Sequence, residues 1–409
     1  MKSPELPASW KWRRLAELIT KFDAGVSVNG GDRPAMDGEY GVLKISAVTE
    51  GSFRPSENKV IEGLEQARAS LNPKRDRLII SRANTPDLIG ANAYIDRDYP
   101  NLFLSDKLWQ LEPRKDNELS MRWLGCVLGS ATYRKKMSKI ATGSSQSMKN
   151  ISQESVMQLE LPVPDFTEQQ HIAQLLEHWD TAIEKTERLI AAKENYLKAI
   201  EHQLLSARKR LNGFSNNWES LRADNIFESA SLKGFGSEPL LSVTQDRGVI
   251  PRDRLTGRVT MPSGETTSFK LVDPGNFVIS LRSFQGGLEH SAYRGLVSPA
   301  YTVLRATREI DVRFFRHYFR SADFIKRLSV AVIGIRDGKQ VSFQDFCSIK
   351  IPFPPIEEQQ AIAAMLDEAE REIVLLRNQV TAFKKQKRGL MQKLLTGQWR
   401  VKLPETEAA

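Results

Sequence analysis

Leu161-Pro162-Val163-Pro164-Asp165-Phe166-Thr167-Glu168-Gln169-Gln170-His171-Ile172-Ala173 is written twice in this chain. The second copy, 190 residues on, reads Ile351-Pro352-Phe353-Pro354-Pro355-Ile356-Glu357-Glu358-Gln359-Gln360-Ala361-Ile362-Ala363. In each copy two prolines forbid a helix, and a polar Glu-Gln-Gln then opens a long apolar-periodic run. The correspondence continues without a gap to Leu204-Leu205 and Leu394-Leu395. A period of half the chain means a duplicated module and not a solenoid.

After the first copy, Leu176, Ile183, Ile190, Leu197, Leu204 and Leu211 recur every seven residues. Ile172, Trp179, Ile200 and Ala207 fill a second seam, interrupted by Thr186 and Lys193. This period predicts a coiled-coil helix from about Asp165 to Leu211, on the order of 65 Å long and stopped by Asn212-Gly213. Asp165 with Glu168, or Thr167 with Gln170, can form its capping box. A second helix is expected from about Glu358 to Leu395. One of its seams is Ile362, Ala369, Leu376, Phe383 and Leu390; the other is Leu366, Ile373, Val380 and Leu394, broken by Lys387. Its start is acidic, whereas Arg377 to Arg400 holds basic residues and no acids. Parallel pairing would place two acidic starts together. Antiparallel pairing instead brings Glu168, Glu177 and Asp180 near Lys384 to Lys393.

A globular segment precedes each copy. The first opens with Trp10-Lys11-Trp12-Arg13-Arg14-Leu15 and continues in short strand-like runs, Gly41 to Ile45 and Arg77 to Ser81. A helical stretch follows from Met121 to Met137, giving a compact α+β domain. The chain restarts at Asn217-Trp218-Glu219-Ser220-Leu221, an echo of Trp12 to Leu15. Ser130 to Met137 matches Ser321 to Leu328, and Lys149-Asn150-Ile151-Ser152 matches Lys339-Gln340-Val341-Ser342. The middles diverge, so one framework carries two different surfaces. The expected architecture is α+β: similar globular domains at 1–160 and 213–350, separated by helical segments at 161–212 and 351–409 that form an antiparallel coiled coil.

The 409 residues carry a net charge of +9, which favours a polyanionic partner. No apolar run is long enough to span a bilayer, and no signal-peptide core follows Met1. Cys126 and Cys347 are expected to be buried free thiols in a reducing cytoplasm. The histidines and cysteines have no metal-ligand spacing, and His171, His178 and His202 are expected to be solvated. There is no Asn-Pro-Pro-aromatic methyltransferase motif, no Gly-rich cofactor loop, and Gly338-Lys339 lacks the rest of a phosphate loop. Glu57-Asn58-Lys59 and Asp337-Gly338-Lys339 match only the tail of a nuclease pattern, without an upstream acid. No catalytic site is expected.

The alternation of globular domain and Pro-x-Pro-x-x-x-Glu-Gln helix resembles the specificity subunit of type I restriction–modification systems over essentially the whole chain. Its most specific marks are Pro162, Pro164, Glu168, Gln169 and Ile172, their partners Pro352, Pro354, Glu358, Gln359 and Ile362, and the closing Leu394-Leu395-Thr396-Gly397-Gln398-Trp399-Arg400-Val401. Ser81-Arg82-Ala83-Asn84-Thr85 and Ser298-Pro299-Ala300-Tyr301 are similar to segments of that family's target-recognition domains. The resemblance implies a non-catalytic reader of double-stranded DNA, with each domain recognising half of a bipartite, asymmetric target. It also implies helices that dock two methyltransferase subunits and, through them, two restriction subunits. S-adenosylmethionine, ATP and Mg would belong to those partners, with no cofactor bound by this chain. Approximate twofold symmetry would present two similar surfaces to major-groove faces about 34 Å apart.

Candidate DNA contacts are loop residues able to bond base edges or phosphates. In the first domain these are Arg82, Asn84, Lys107, Gln146 and Lys149; in the second, Arg282, Gln285, Arg336, Lys339 and Gln340. Each could equally be a surface charge or a turn-stabilising amide. Lys384, Lys385, Lys387 and Arg388 read as a solvated or acid-pairing helix face in preference to a DNA site. The competing function is a coiled-coil scaffold that joins other proteins without binding DNA.

Overall fold

The computed structural model describes residues 6–115, 118–143, 148–245, 247–255, 266–280, 283, 287–331 and 341–401. The chain divides into two compact units, Met1–Lys185 with Val380–Ala409, and Thr186–Gln379.

In the first unit the strands are β1 (Lys11–Arg14), β2 (Ile19–Ala24), β3 (Gly41–Leu43), β4 (Asn58–Val60), β5 (Arg77–Ser81), β6 (Ala83–Asn84), β7 (Asn92–Ile95), β8 (Leu102–Phe103), β9 (Leu108–Pro113), β10 (Lys149–Asn150) and β11 (Glu160–Val163). The helices are α1 (Met121–Gly129), α2 (Ala131–Ile140), α3 (Gln153–Met157) and the start of α4 (Phe166–Leu205). The main sheet has the order β2-β9-β5-β7, a smaller one the order β4-β3-β8, and β1 pairs with β11. Strand alternation explains the central position of β5. Leu78 and Ile80 face one core with Trp123, Leu124 and Val127 of α1, while Ile79 faces another with Leu43, Ala93 and Leu104. Ser120 caps α1 by accepting from the Trp123 backbone N–H at 3.2 Å.

The second unit repeats this frame. Its strands are β12 (Glu219–Arg222), β13 (Phe227–Ala230), β14 (Leu241–Thr244), β15 (Gly248–Pro251), β16 (Lys270–Val272), β17 (Phe277–Ile279), β18 (Glu289–His290), β19 (Gly295–Val297), β20 (Thr302–Ala306) and β21 (Lys350–Phe353). Its helices are α5 (Val312–Arg320), α6 (Ala322–Ala331), α7 (Phe343–Cys347) and the start of α8 (Ile356–Leu394). The sheet order β13-β20-β17-β18 reproduces β2-β9-β5-β7, and β12 pairs with β21 as β1 does with β11. Phe277 and Ile279 face one core and Val278 another, the same split as in β5. The divergence lies in the inserts. The β4-β3-β8 sheet of the first unit is replaced by the pairs β14-β15 and β16-β19.

The helices form an antiparallel coiled coil. In the first unit Trp179 of α4 packs against Phe383 of α8 at 5.6 Å, and Lys387 pairs with Asp180. In the second, Lys193 meets Glu372 at 2.7 Å and Arg377 meets Glu194 at 2.6 Å. The seam lysines, Lys193 and Lys387, therefore each reach an acid on the other helix. Of the three acids expected near Lys384 to Lys393, only Asp180 meets that stretch. Glu177 pairs with Arg122 of α1 at 2.6 Å, and Glu168 is bound by Arg400.

The repeated Glu-Gln is explained by what each residue holds. Glu168 has no exposed side-chain surface; it accepts from Trp10 Nε1 at 2.9 Å and from Arg400 Nε at 2.5 Å. Glu358, equally buried, accepts from Trp218 Nε1 at 2.8 Å and from Arg210 Nε at 2.6 Å. Gln169 Nε2 donates to Pro164 O at 3.1 Å, and its Oε1 accepts from the Ser120 N–H at 2.9 Å. Gln359 does the same with Pro354 O and the Asp311 N–H, both at 2.9 Å. Each dipeptide thus fastens a helix start to the first strand, the proline run and the N-cap of an earlier helix of the same unit, α1 or α5. Trp218 corresponds to Trp10 and not to Trp12, which is exposed.

Two expectations about α4 change. Asp165 caps it, accepting from the Glu168 N–H at 2.8 Å, but Glu168 does not complete a capping box because its carboxylate is engaged with Trp10 and Arg400. The helix also stops at Leu205 and not Leu211. Ala207 turns left-handed at φ 59°, the place held by Gly397 at φ 75° in the second copy. Lys209 N donates to Gln203 O as Trp399 N does to Lys393 O. The turn carries Arg210 to Glu358 and Arg400 to Glu168; alanine in that conformation costs about 1 kcal/mol.

Removing one charge of a buried pair strands the other, at a cost set by how readily the survivor rehydrates. The Arg210 side chain is 23% exposed and that of Arg400 44%. Glu358→Gln should destabilise the second unit by about 2–3 kcal/mol, and Glu168→Gln the first by about 1–2 kcal/mol. Urea unfolding followed by tryptophan fluorescence tests this; equal effects would show that arginine exposure does not set the cost, and no effect would show that the clamp is not energetically important.

Candidate nucleic-acid interface

Four candidate residues of the first domain converge at one corner of its main sheet. Arg82 follows β5 directly, and its backbone N–H donates to Lys107 O at 3.0 Å. The Arg82 carbonyl accepts from the Ile151 N–H at 3.0 Å. Asn84 of β6 lies opposite Lys149 of β10. A bridge between Thr142 and Asn150 closes the loop before β10, and Lys149 Nζ donates to Gly143 O. Arg82, Asn84, Lys107 and Lys149 come from sequence positions up to 67 apart. Strand pairing alone brings them together.

Their side chains are partly committed. Arg82 Nε donates to Asp106 O at 2.5 Å, and its guanidinium lies 3.7 Å from the Asp106 carboxylate. More than a third of each of those side chains remains exposed, so the arginine is oriented without being consumed. Asn84 Oδ1 accepts from the Thr85 N–H at 2.8 Å, the turn-stabilising role weighed for it in the sequence. Arg134 of α2 braces the same loop by donating to Asp87 O at 2.9 Å, and burial lowers its guanidinium to about 10. Asp106 lies in no sequence motif, and Arg134 lies in the repeated Ser130-to-Met137 stretch, whose match marks the shared frame and not a contact.

Gln146, Arg282, Gln285, Arg336, Lys339 and Gln340 lie outside the described residues, as does Asp337-Gly338-Lys339. Ser298 to Tyr301 is described. It forms a turn in which the Tyr301 N–H donates to Ser298 O at 3.0 Å, directly before β20. The turn before β9, Ser105 to Leu108, holds Asp106 and Lys107 in the equivalent place. Gly287 must be glycine: its φ is 82°, and a Cβ there would lie 1.9 Å from Phe319 O.

Other sequence candidates have structural explanations. Asn58 of Glu57-Asn58-Lys59 is buried; it donates to Pro55 O at 2.8 Å and accepts from the Ala35 N–H at 2.8 Å. Cys126 and Cys347 are unpaired and half-buried, and burial pushes the Cys126 thiol up to about 11. His178 is exposed, as expected. His171 is half-buried with Nδ1 2.8 Å from Thr167 O, and His202 is exposed but lies 3.1 Å from Asp323, so neither is simply solvated. Among the described residues, no helix is long and apolar enough to cross a membrane.

The family model for the type I restriction modification DNA specificity domain matches residues 7–194 and 256–382. The chain belongs to that family. It is 24% identical to the putative type I restriction enzyme MjaX specificity subunit of Methanocaldococcus jannaschii, over 97% of this chain and 95% of that one. It is 26% identical to the EcoEI specificity subunit of Escherichia coli, over 39% of this chain and 27% of that one. Among solved structures, the S subunit from M. genitalium superposes with a TM-score of 0.57 at 15% identity, covering 97% and 98% of the two chains. The S subunit from Thermoanaerobacter tengcongensis gives 0.51 at 18%, covering 97% and 99%. These likenesses support the duplicated fold.

As a type I specificity subunit, the chain is the non-catalytic, DNA-specificity component of its system. The corner around Arg82 then divides into two chemistries. Arg82, held by Asp106, has the planar donor pair suited to a guanine edge, whereas Lys149 offers a point charge suited to phosphate. With methyltransferase partners supplied, Arg82→Ala should relax one base position at a cost of about 1–3 kcal/mol. Lys149→Ala should weaken binding to all sequences alike and reduce the salt slope by about 1. Methylation mapping and salt titration separate the two; variants unchanged in both would remove this corner from the interface.

Proposed function

We propose that this specificity subunit reads a bipartite, asymmetric DNA target, residues 1–160 taking one half-site and residues 213–350 the other. The observation that carries this is one frame, repeated strand for strand, bearing different inserts in each unit. A shared frame suits a shared docking mode, and different inserts suit different base sequences. Arg82, Asn84, Lys107, Gln146 and Lys149 are the proposed contacts of the first domain; Arg282, Gln285, Arg336, Lys339 and Gln340 are those of the second. The segments 161–212 and 351–409 act as spacers and dock two methyltransferase subunits, and through them restriction subunits. These partners supply S-adenosylmethionine, ATP and Mg, and the complex works on DNA in the cytoplasm. Replacing residues 1–160 by the matching domain of a relative should change one half of the methylated motif and preserve the other half and the spacing. A change in both halves would refute independent reading.

The paired helices are the proposed ruler. An insertion after Leu205 would fall in the α4 cap and pull Arg210 from Glu358, so the length test belongs inside the coiled coil. Four residues after Ile190, matched by four after Leu376, add about 6 Å and slightly more than one turn to each helix, which keeps the seam roughly in register. That displacement is close to two base pairs, at about 3.4 Å each. The half-sites should stay unchanged while the spacer between them lengthens by one or two base pairs. An active complex with an unaltered spacer in its methylome would mean that the ruler lies elsewhere. A scaffold without DNA binding predicts no methylated motif that depends on either domain.

A further inference from the structure

We propose a divalent metal site in the second unit, formed by His317 of α5, Glu201 of α4 and Glu370 of α8. His317 Nδ1 lies 3.4 Å from Glu201 Oε1 and 3.8 Å from Glu370 Oε1, and the three ligand atoms all fall within 4.8 Å of one another. A tetrahedral zinc with bonds of about 2.0–2.1 Å has ligand–ligand edges of about 3.4 Å, so the separations need little adjustment. The His317 side chain is only 2% exposed, while those of Glu201 and Glu370 are partly open. Water can therefore supply a fourth ligand.

The other face of the imidazole has a carboxylate within hydrogen-bond reach, the partner that metal-bound histidines commonly use. Nε2 lies 2.9 Å from Asp367 Oδ1, so the ring can donate Nε2–H to a carboxylate and present an unprotonated Nδ1 to the metal. Arg316 Nη2 touches Asp367 Oδ1 and Glu370 Oε2, each at 2.7 Å, and lies 3.0 Å from Nε2 on that side. Arg313 reaches Asp367 at 3.7 Å and Asp311 at 2.6 Å. With a neutral imidazole, the four carboxylates Glu201, Asp311, Asp367 and Glu370 face two guanidiniums. The remaining charge of two is what a divalent cation would neutralise.

The duplication supplies an internal control. His317 and Cys126 both occupy the sixth position of their helices, α5 and α1. At the 190-residue offset, Glu201 becomes Met391 and Glu370 becomes Asp180. Cys126 and Met391 pack against the apolar core of the first unit, and Asp180 is taken by Lys387. The frame holds without a metal there, so the cluster is specific to the second unit. A metal at His317 would tie that domain to both long helices through side chains from α4, α5 and α8.

The test uses the full-length chain stripped with EDTA and titrated with zinc or cobalt(II) at neutral pH by calorimetry, metal analysis and visible spectroscopy. The expected result is one equivalent bound, nitrogen–oxygen cobalt bands, and an unfolding midpoint raised by about 5 °C or more at a hundredfold excess over Kd. The E201Q/E370Q variant keeps the buried histidine and should lose this equivalent. D367N should weaken it by about tenfold or more, and C126S should leave it intact. Binding that is equal in wild type and E201Q/E370Q, or absent from both, would overturn the proposal.

Discussion

Glu168 and Glu358 are carboxylates with no exposed surface, and the rest of the structure is arranged so that neither is left uncompensated. A buried charge is costly unless paired and fully hydrogen-bonded, so every partner position becomes a constraint on chain direction. The tryptophan must arrive just before the first strand of each domain. The arginine must arrive from a segment that follows a long helix. Arg400 reaches Glu168 at the start of α4, and Arg210 reaches Glu358 at the start of α8. Each clamp is therefore completed by a residue remote in sequence, 232 positions away in one case and 148 in the other.

The helices follow the same exchange. Ile172, Ala173 and Leu176 at the start of α4 lie in the core of the first unit, while Leu204 and Leu205 at its end lie in that of the second. Conversely, α8 begins with Ile362, Ala363 and Leu366 in the second core and ends with Leu394 and Leu395 in the first. Burial contributes about 1.5–3 kcal/mol per large side chain, so both ends of each helix are held by apolar area as well as by the clamp. This explains why the sequence repeat runs unbroken from the prolines to the paired leucines. Both ends perform a packing task, and the seven-residue seam between them keeps the phase.

Outside that frame the units are free to differ. The second core is built on phenylalanines, with ring contacts running from Phe227 to Phe277, Phe319, Phe315 and back to Phe227, whereas the first relies on tryptophan and leucine. Among the described residues, the inserts around the main sheets share neither strand count nor pairing. Divergence is concentrated where a surface can change without disturbing the clamps, as a family of DNA-specificity proteins requires.

Sequence alone determined the duplication, the coiled coil, its antiparallel sense and the α+β character of both domains. These rest on periodicity, proline and charge asymmetry, all of which are local. It misjudged the end of α4, because Leu211 keeps the heptad phase and alanine at 207 is the best of helix formers; Gly397 at the matching position was the available signal. It also aligned Trp218 with the exposed Trp12, since a burial difference between Trp10 and Trp12 cannot be read from composition. Only tertiary structure joined Arg82, Asn84, Lys107 and Lys149, which have no common spacing. The meeting of His317 with Glu201 and Glu370 is likewise a product of packing. Their separations in the chain follow no ligand pattern, and it is the antiparallel helices that bring two distant carboxylates to one buried imidazole.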